Sequence, residues 1–309
     1  MFSKVVILFT IMAMLLTGCS RNQMPTEAIS GEANTNQSEY TLDTFSQAED
    51  GKGTAIFEGV KHDYILDLPE KTEGAPLIVM LHGYGESAEA MRKNTLFHEE
   101  ANKKGYAVAY ITGAPNPDDP TSATGWNSGI SMSGNNDVGF LKALVYELCR
   151  TYSLDNEHVF AVGFSNGAFM THRLALDAND TFSSVVSVAG MMPENTWEEK
   201  PEKCEIGVLQ ITGEKDDVIP KNADGSAKYS KAPAIEDVIE YYIQMNGLSL
   251  ESTNTIGKKS VLSKYASSNS KKRVWHIYIP DGRHSWPDEK IVGFNTNEII
   301  LEYLESVKN

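Results

Sequence analysis

A serine, an aspartate and a histidine lie along this chain in the order that a nucleophile, an orienting acid and a general base take in one large group of hydrolytic folds. The serine is Ser165, within Gly163-Phe164-Ser165-Asn166-Gly167, a G-x-S-x-G stretch. So short a pattern recurs by chance, and its flanks decide what it means. His158-Val159-Phe160-Ala161-Val162 ahead of it is apolar and β-branched or aromatic, as a buried strand requires. Ala168 to Leu176 behind it carries apolar residues at helical spacing. Strand, tight turn and helix in that order would hold the Ser165 hydroxyl above the end of a sheet on a strained turn. Gly163 and Gly167 lack a Cβ, so strand and helix can close around that turn. A serine hydroxyl is a weak nucleophile at neutral pH. It needs a base within hydrogen-bond reach and a third group that fixes the tautomer of that base.

The base would be His284, in the Gly-containing loop Pro280-Asp281-Gly282-Arg283-His284-Ser285-Trp286-Pro287 after the last strand-like run. Its competitors fit less well. His276 falls within a strand-like run, His172 lies two turns past Ser165 on its helix, and His62, His98 and His158 precede the nucleophile. The acid would be Asp216, with Asp217 in reserve, just past the apolar run Gly207 to Gly213. A carboxylate at the carboxyl end of a parallel strand, after the serine in the chain, is where such a triad takes its acid. The oxyanion formed on attack needs preorganised N–H donors. Pro76 to Leu81 reads as a central strand running into His82-Gly83-Tyr84-Gly85, whose glycines let the backbone aim an amide at the substrate. The expected donors are the backbone N–H groups of Tyr84 and Asn166. His82 is expected to brace that loop rather than act as base.

Positioning these groups takes a mostly parallel sheet with helices on its faces. Further strand-like runs cover Tyr106 to Ile111, Ser260 to Ala266 and Arg273 to Ile279, and Ser184 to Pro193 reads as a strand running into a loop, after an opening hairpin of Ala55 to Val60 and Asp63 to Pro69. Helical patterns cover Ala88 to Lys104, Val138 to Leu148, Ala234 to Met245 and Asn295 to Val307. Asp137 is expected to cap the second of these rather than take part in chemistry. Between strand and helix, the loop from Thr112 to Asn136 is long and rich in Gly, Pro, Asn, Ser and Asp. Its Trp126 would either wall a pocket or anchor its own loop. Met191 and Met192, just past Val188, would line a pocket or fill the core. Trp126, Met191 and Trp286 are the expected pocket residues.

The 309 residues suffice for one large domain, and 41% hydrophobic with 22% charged residues is ordinary for a globular protein. A formal net charge of −15 argues against nucleic acid as a partner. No zinc-spaced Cys/His cluster occurs, and neither a metal nor another cofactor is expected. Met1-Phe2-Ser3-Lys4 is a short basic segment, followed by an apolar run from Val5 to Leu16 that is short for a membrane span. Leu16-Thr17-Gly18-Cys19 resembles a bacterial lipobox, which would make residues 1–18 an export signal and Cys19 the lipidated first residue. The protein would then be anchored at the cell surface or in the periplasm, touching membrane only through its lipid. Residues 19–53 are rich in Ser, Thr, Asn, Gln and Glu and read as a flexible tether, leaving 54–309 as one catalytic domain. Cys149 and Cys204 would be either a disulfide or two buried thiols.

The stretches Gly163 to Met170, His82 to Gly85, Asn136 to Leu141, Asp216 to Pro220 and His284 to Pro287 together resemble the polyhydroxybutyrate depolymerase / feruloyl and acetylxylan esterase family of α/β-hydrolases, from about Thr54 to the C-terminus. That resemblance implies an α/β-hydrolase fold in a single domain and metal-free hydrolysis of carboxylic esters, often aryl or acetyl esters on plant xylan. It carries the catalytic roles onto Ser165, Asp216 and His284. Two departures matter. Thr212-Gly213 stands where such proteins usually have His-Gly, and Tyr84 stands where polyester depolymerases often have cysteine. The second favours the feruloyl side, and an aromatic acyl group would suit Trp126, Tyr84 and Trp286. The expected activity is hydrolysis of feruloyl esters on a polysaccharide. Acetylxylan esterase and polyhydroxybutyrate depolymerase are the enzymatic alternatives. A non-catalytic polymer-binding lipoprotein is a further one, against which the intact triad stands.

Overall fold

The computed structural model describes residues 40–47, 50–130, 134–219 and 231–308. All lie in the compact unit Gln37–Asn309. The expected export signal, Cys19 and the first part of the tether fall outside the described residues.

The chain opens with strands β1 (Thr44–Gln47), β2 (Lys52–Phe57), β3 (Val60–Asp67) and β4 (Pro76–Leu81), then helices α1 (Ala88–Thr95) and α2 (Phe97–Lys103). Next come β5 (Ala107–Ile111), α3 (Asp137–Tyr152), β6 (Asp155–Phe164), α4 (Asn166–Asp177), β7 (Ser184–Val188) and the short α5 (Glu194–Glu198). The last part holds β8 (Gly207–Gly213), α6 (Ile235–Met245), β9 (Ser249–Ile256), β10 (Ser260–Ser267), β11 (Ser270–Ile279), the short α7 (Glu289–Val292) and α8 (Thr296–Lys308). These strands form one sheet in the order β1-β2-β3-β5-β4-β6-β7-β8-β11-β10-β9. From β5 through β4, β6, β7 and β8 to β11 the pairing is parallel. Antiparallel strands extend both sides. This is the α/β-hydrolase architecture that the resemblance implied.

The central strands read as continuous apolar runs because helices cover both faces of the sheet. In β4, Leu77, Val79 and Leu81 enter one buried cluster with Phe140 and Leu144 of α3, Phe169 and Leu174 of α4, and Tyr242 of α6. Ile78 and Met80, pointing the other way, join Met91 of α1, Phe97 of α2 and Leu301 and Leu304 of α8. The alternation of strand side chains thus divides one run between two cores.

Three expectations change. The run 88–104 is two helices, broken at Leu96 with φ 48°. No Gly or Pro marks the break. The left-handed residue re-phases the chain so that Met91 and Thr95 of α1 and Phe97 and Ala101 of α2 all face inward. Thr95 patches the interruption: its hydroxyl donates to the Met91 carbonyl and accepts from the Phe97 amide. Second, ordered structure starts ahead of Thr54. Thr44–Gln47 pairs with Gly53–Ile56 as an edge strand, and the opening hairpin turns at Glu58-Gly59, both with positive φ as a two-residue turn demands. Third, β9 is a strand that no periodicity announced, because most of its residues are exposed.

Candidate active site

Parallel pairing of the adjacent strands β6, β7, β8 and β11 brings their carboxyl ends to one edge of the sheet. Ser165 follows β6, Asp216 follows β8 and His284 follows β11, so three residues far apart in the chain emerge together. His284 Nε2 lies 2.9 Å from Ser165 Oγ, and His284 Nδ1 lies 2.9 Å from Asp216 Oδ2. Asp216 is buried, and its Oδ1 accepts from the amides of Val218 at 2.9 Å and Ile219 at 2.7 Å. A carboxylate offers the ring only acceptor oxygens, so Nδ1 carries the imidazole proton and Nε2 presents its lone pair to the serine hydroxyl. Asp217 is exposed.

Ser165 sits in the turn between β6 and α4 with φ 52° and ψ −118°, a conformation that costs about 1–3 kcal/mol for a residue with a Cβ. Its amide donates to the Val188 carbonyl of the neighbouring strand, which fixes the turn. The two glycines are sterically required. A methyl on Gly163 would overlap the Gly167 carbonyl, and one on Gly167 would overlap the Leu81 carbonyl.

Tyr84 and Asn166 both border the cavity at Ser165. On the loop after β4, the Gly83 amide donates to Glu86 Oε2, the Gly85 amide to the Thr124 carbonyl and the Glu86 amide to the Gly83 carbonyl. The Tyr84 amide is left without an acceptor among the described residues. Asn166 opens α4, where the first amides have no intrahelical acceptor. His82 is fully buried beneath this loop. Its Nε2 accepts from the Gly113 amide at 2.9 Å, so Nδ1 is the protonated nitrogen and donates to the Gly83 carbonyl.

The cavity encloses about 690 Å³ and is walled by Met91, Phe164, Phe169, Ile219 and Trp286, with the Glu86 carboxylate on its border. Trp286 borders this cavity. Two other expected pocket residues do not. Trp126 is completely buried; its indole N–H donates to the His82 carbonyl at 3.0 Å and its ring lies against the His82 imidazole. It anchors its loop because a ring that large, with its one donor satisfied inside, gains more from core packing than from solvent. Met191 is 3% exposed and belongs to the core with Met192 and Met170. Phe164 and Phe169 were missed as pocket residues. Phe169 was findable, since it stands four residues after Ser165 and so on the same face of α4. Nothing local marks Met91, which α1 delivers from elsewhere in the chain.

Asp137 is not the cap of α3. Asn136 is, accepting from the Gly139 amide. Asp137 turns inward, 1% exposed, and accepts from the Asn127 amide at 2.6 Å. Burial raises its carboxyl to about 7, against the pull of that amide and of Arg173. Cys149 and Cys204 are buried free thiols, held by burial up at about 12 and about 11. Among the described residues no three His, Cys, Asp or Glu side chains gather to hold a metal ion, and no helix is long and apolar enough to cross a membrane.

His62, His82 and His172 are buried, and burial lowers each ring from 6.5 to about 4. Such rings stay neutral in the fold but bind protons once unfolded. Their stabilisation is complete above about pH 6.5 and is lost as pH falls toward 4. Asp137 acts in the opposite sense, since a raised carboxyl favours the fold in acid, but the three rings outweigh it, and His98, which burial also lowers, adds to them. The urea midpoint is expected to be level near neutrality and to fall steeply between about pH 6 and 4. An unchanged midpoint over that range would show the rings to be charged in the native state.

Residues 128–245 match the family model described as Phospholipase/Carboxylesterase. The chain is 31% identical over 241 residues to the putative esterase NocK of Nocardia uniformis subsp. tsuyamanensis, covering 71% of this chain and 67% of that one. It is 23% identical to feruloyl esterase B of Piromyces equi, covering 71% of this chain and 41% of that one. Among solved structures, acetyl xylan esterase from Aspergillus awamori shares the fold with a TM-score of 0.57 at 13% identity, covering 79% of this chain and 94% of that one.

Proposed function

This chain belongs to the esterase family of α/β-hydrolases, and from that premise we propose that it is an exported, lipid-anchored serine esterase that cleaves feruloyl esters of plant xylan through an acyl-enzyme. Ser165 Oγ attacks the ester carbonyl while His284 Nε2 takes the hydroxyl proton. The negative charge passes to the carbonyl oxygen, which the Tyr84 and Asn166 amides receive. Each such donor is worth roughly 2.7–4 kcal/mol of barrier. Collapse of the tetrahedral intermediate expels the sugar alcohol, which takes its proton from His284. Water, deprotonated by the same nitrogen, then releases the acid and restores Ser165. Asp216 holds the ring and balances its charge in both halves.

The observation that carries the feruloyl reading is the cavity at Ser165. Its border of Phe164, Phe169, Met91 and Trp286 offers aromatic and thioether faces against which a planar aromatic acyl group can stack, and which an acetyl group is too small to cover. The relatives include an acetylxylan esterase and a feruloyl esterase, and their names support a polysaccharide ester without choosing between the two acyl groups. The deciding experiment sets methyl ferulate, feruloylated xylan, acetylated xylan and polyhydroxybutyrate against the wild type and Ser165→Ala. Feruloyl substrates are expected to exceed acetylated xylan in kcat/KM by about tenfold or more. A preference for acetylated xylan would make the enzyme an acetylxylan esterase, and cleavage of the polyester alone would make it a depolymerase.

The anchoring reading rests on the Leu16-Thr17-Gly18-Cys19 segment. Cys19→Ser is expected to move the protein from the membrane fraction to the soluble one, and the intact mass of the wild type to include acyl chains. If both forms fractionate alike and carry no lipid, the anchor is refuted.

A further inference from the structure

The two proposed oxyanion donors sit on separate segments, one on the loop after β4 and one at the start of α4. A single strap, residues 124–128, is hydrogen-bonded to both. Toward the first, the Thr124 carbonyl accepts from the Gly85 amide at 2.7 Å, the Thr124 hydroxyl donates to the Glu86 carbonyl at 2.6 Å, and the Trp126 indole donates to the His82 carbonyl. Toward the second, the Trp126 amide donates to Asn166 Oδ1 at 2.8 Å, and Asn166 Nδ2 donates back to the Trp126 carbonyl at 3.3 Å. Asn127 is held through both of its backbone groups. The Asn127 amide donates to Asp137 Oδ2, and the Asn127 carbonyl accepts from Arg173 Nη1.

Asp137 is a costly residue to keep there. Its Oδ1 is buried with no hydrogen-bond partner among the described residues. An unsatisfied carboxyl oxygen away from water destabilises the fold, and only what the other oxygen contributes can offset that. What Oδ2 does is make one short bond to the strap.

We propose that Asp137 is a positioning residue for the oxyanion hole: by holding the Asn127 amide it fixes the strap, and through the strap the Tyr84 and Asn166 amides. This rests on the reading of those two amides as the oxyanion donors. A bond to a developing oxyanion weakens with small displacements of its donor, whereas ground-state binding in the apolar cavity does not depend on it. Loosening the strap should therefore lower kcat and leave KM nearly unchanged.

The test uses the full chain, a nitrophenyl butyrate substrate and a trifluoromethyl ketone, whose adduct with Ser165 carries the tetrahedral oxyanion. Active sites are counted by fluorophosphonate labelling so that unfolded protein does not enter the rates. Asp137→Ala is expected to lower kcat by about tenfold or more, to move KM by less than about twofold, and to weaken the ketone by the same factor as kcat. Asp137→Asn keeps an oxygen for the Asn127 amide and should restore most of both losses. If the alanine variant is not recovered folded, Asp137→Ser, too short to reach that amide, takes its place with the same expectation. Unchanged kcat in either folded variant, or a loss of kcat without loss of ketone affinity, overturns the proposal. So does an asparagine variant no better than alanine. A wild type whose hydrolysis survives Ser165→Ala would instead refute the esterase mechanism, and this inference with it.

Discussion

Ser165→Ala is expected to reduce kcat on nitrophenyl esters by on the order of a millionfold, the loss seen when a serine hydrolase loses its nucleophile. The substitution removes Oγ and its 2.9 Å contact with His284 Nε2, and leaves the imidazole with no hydroxyl to deprotonate. Alanine keeps the same Cβ in the same turn at φ 52°, so backbone strain is unchanged and the β6–α4 connection stays as it is. Stability should move by only about 1 kcal/mol, the scale of one partly solvated hydrogen bond. The cavity walls are untouched, and a non-hydrolysable ferulate amide should bind the variant as it binds the wild type. Rates measured against active-site-labelled wild type, with thermal midpoints for both proteins, check this. Residual turnover above about one per cent in protein free of wild type would mean that another group carries the attack.

Asp216→Asn is expected to lower kcat by about ten-thousand-fold, and Asp217→Asn by less than about twofold. The asymmetry comes from the bonds around residue 216. Oδ1 accepts from the Val218 and Ile219 amides, so in the variant the amide oxygen is held on that side and the NH₂ group faces His284. A ring nitrogen that receives a donor must carry its own lone pair there. The imidazole proton then moves to Nε2, where it points at Ser165 and blocks deprotonation. Asp217 is exposed, and neutralising it changes little. The check is kcat for both variants at constant folded fraction. The reverse ranking would reassign the acid.

Much of this site was legible because its groups stand at element boundaries. Ser165, Asp216 and His284 each follow a run apolar enough to be a buried parallel strand, and parallel strands share the edge at which they end. The glycines flanking Ser165 were legible for the same local reason, since a turn that tight tolerates no Cβ. Trp126 and Met191 were read as pocket residues, with loop anchoring and core packing as the alternatives, and Asp137 as a helix cap, because their types and positions permit it and nothing nearby in the chain decides it. Their burial depends on what packs above them. The Trp126 ring is covered by the His82 loop, and the Asp137 carboxyl faces Asn127, ten residues back. The edge strands β1 and β9 were not legible for a different reason. Hydrophobic periodicity reports burial, and a strand exposed along most of its length has none to report.

Read alone, the chain determined the class of fold, the order of its central elements and the three residues it brings into one hydrogen-bonded line. Each of these follows from local patterns: alternation in strands, helical spacing, glycine at a forced turn, and a polar group just past an apolar run. Only the tertiary structure decided which strands are neighbours, that Leu96 divides one helical run in two, and which side chains wall the cavity. It also decided that one strap ties the Tyr84 loop to Asn166 over a buried aspartate. Those outcomes depend on contacts between residues tens to hundreds of positions apart. Their free energies come from close packing and from hydrogen bonds made away from water, and neither exists until the elements have met.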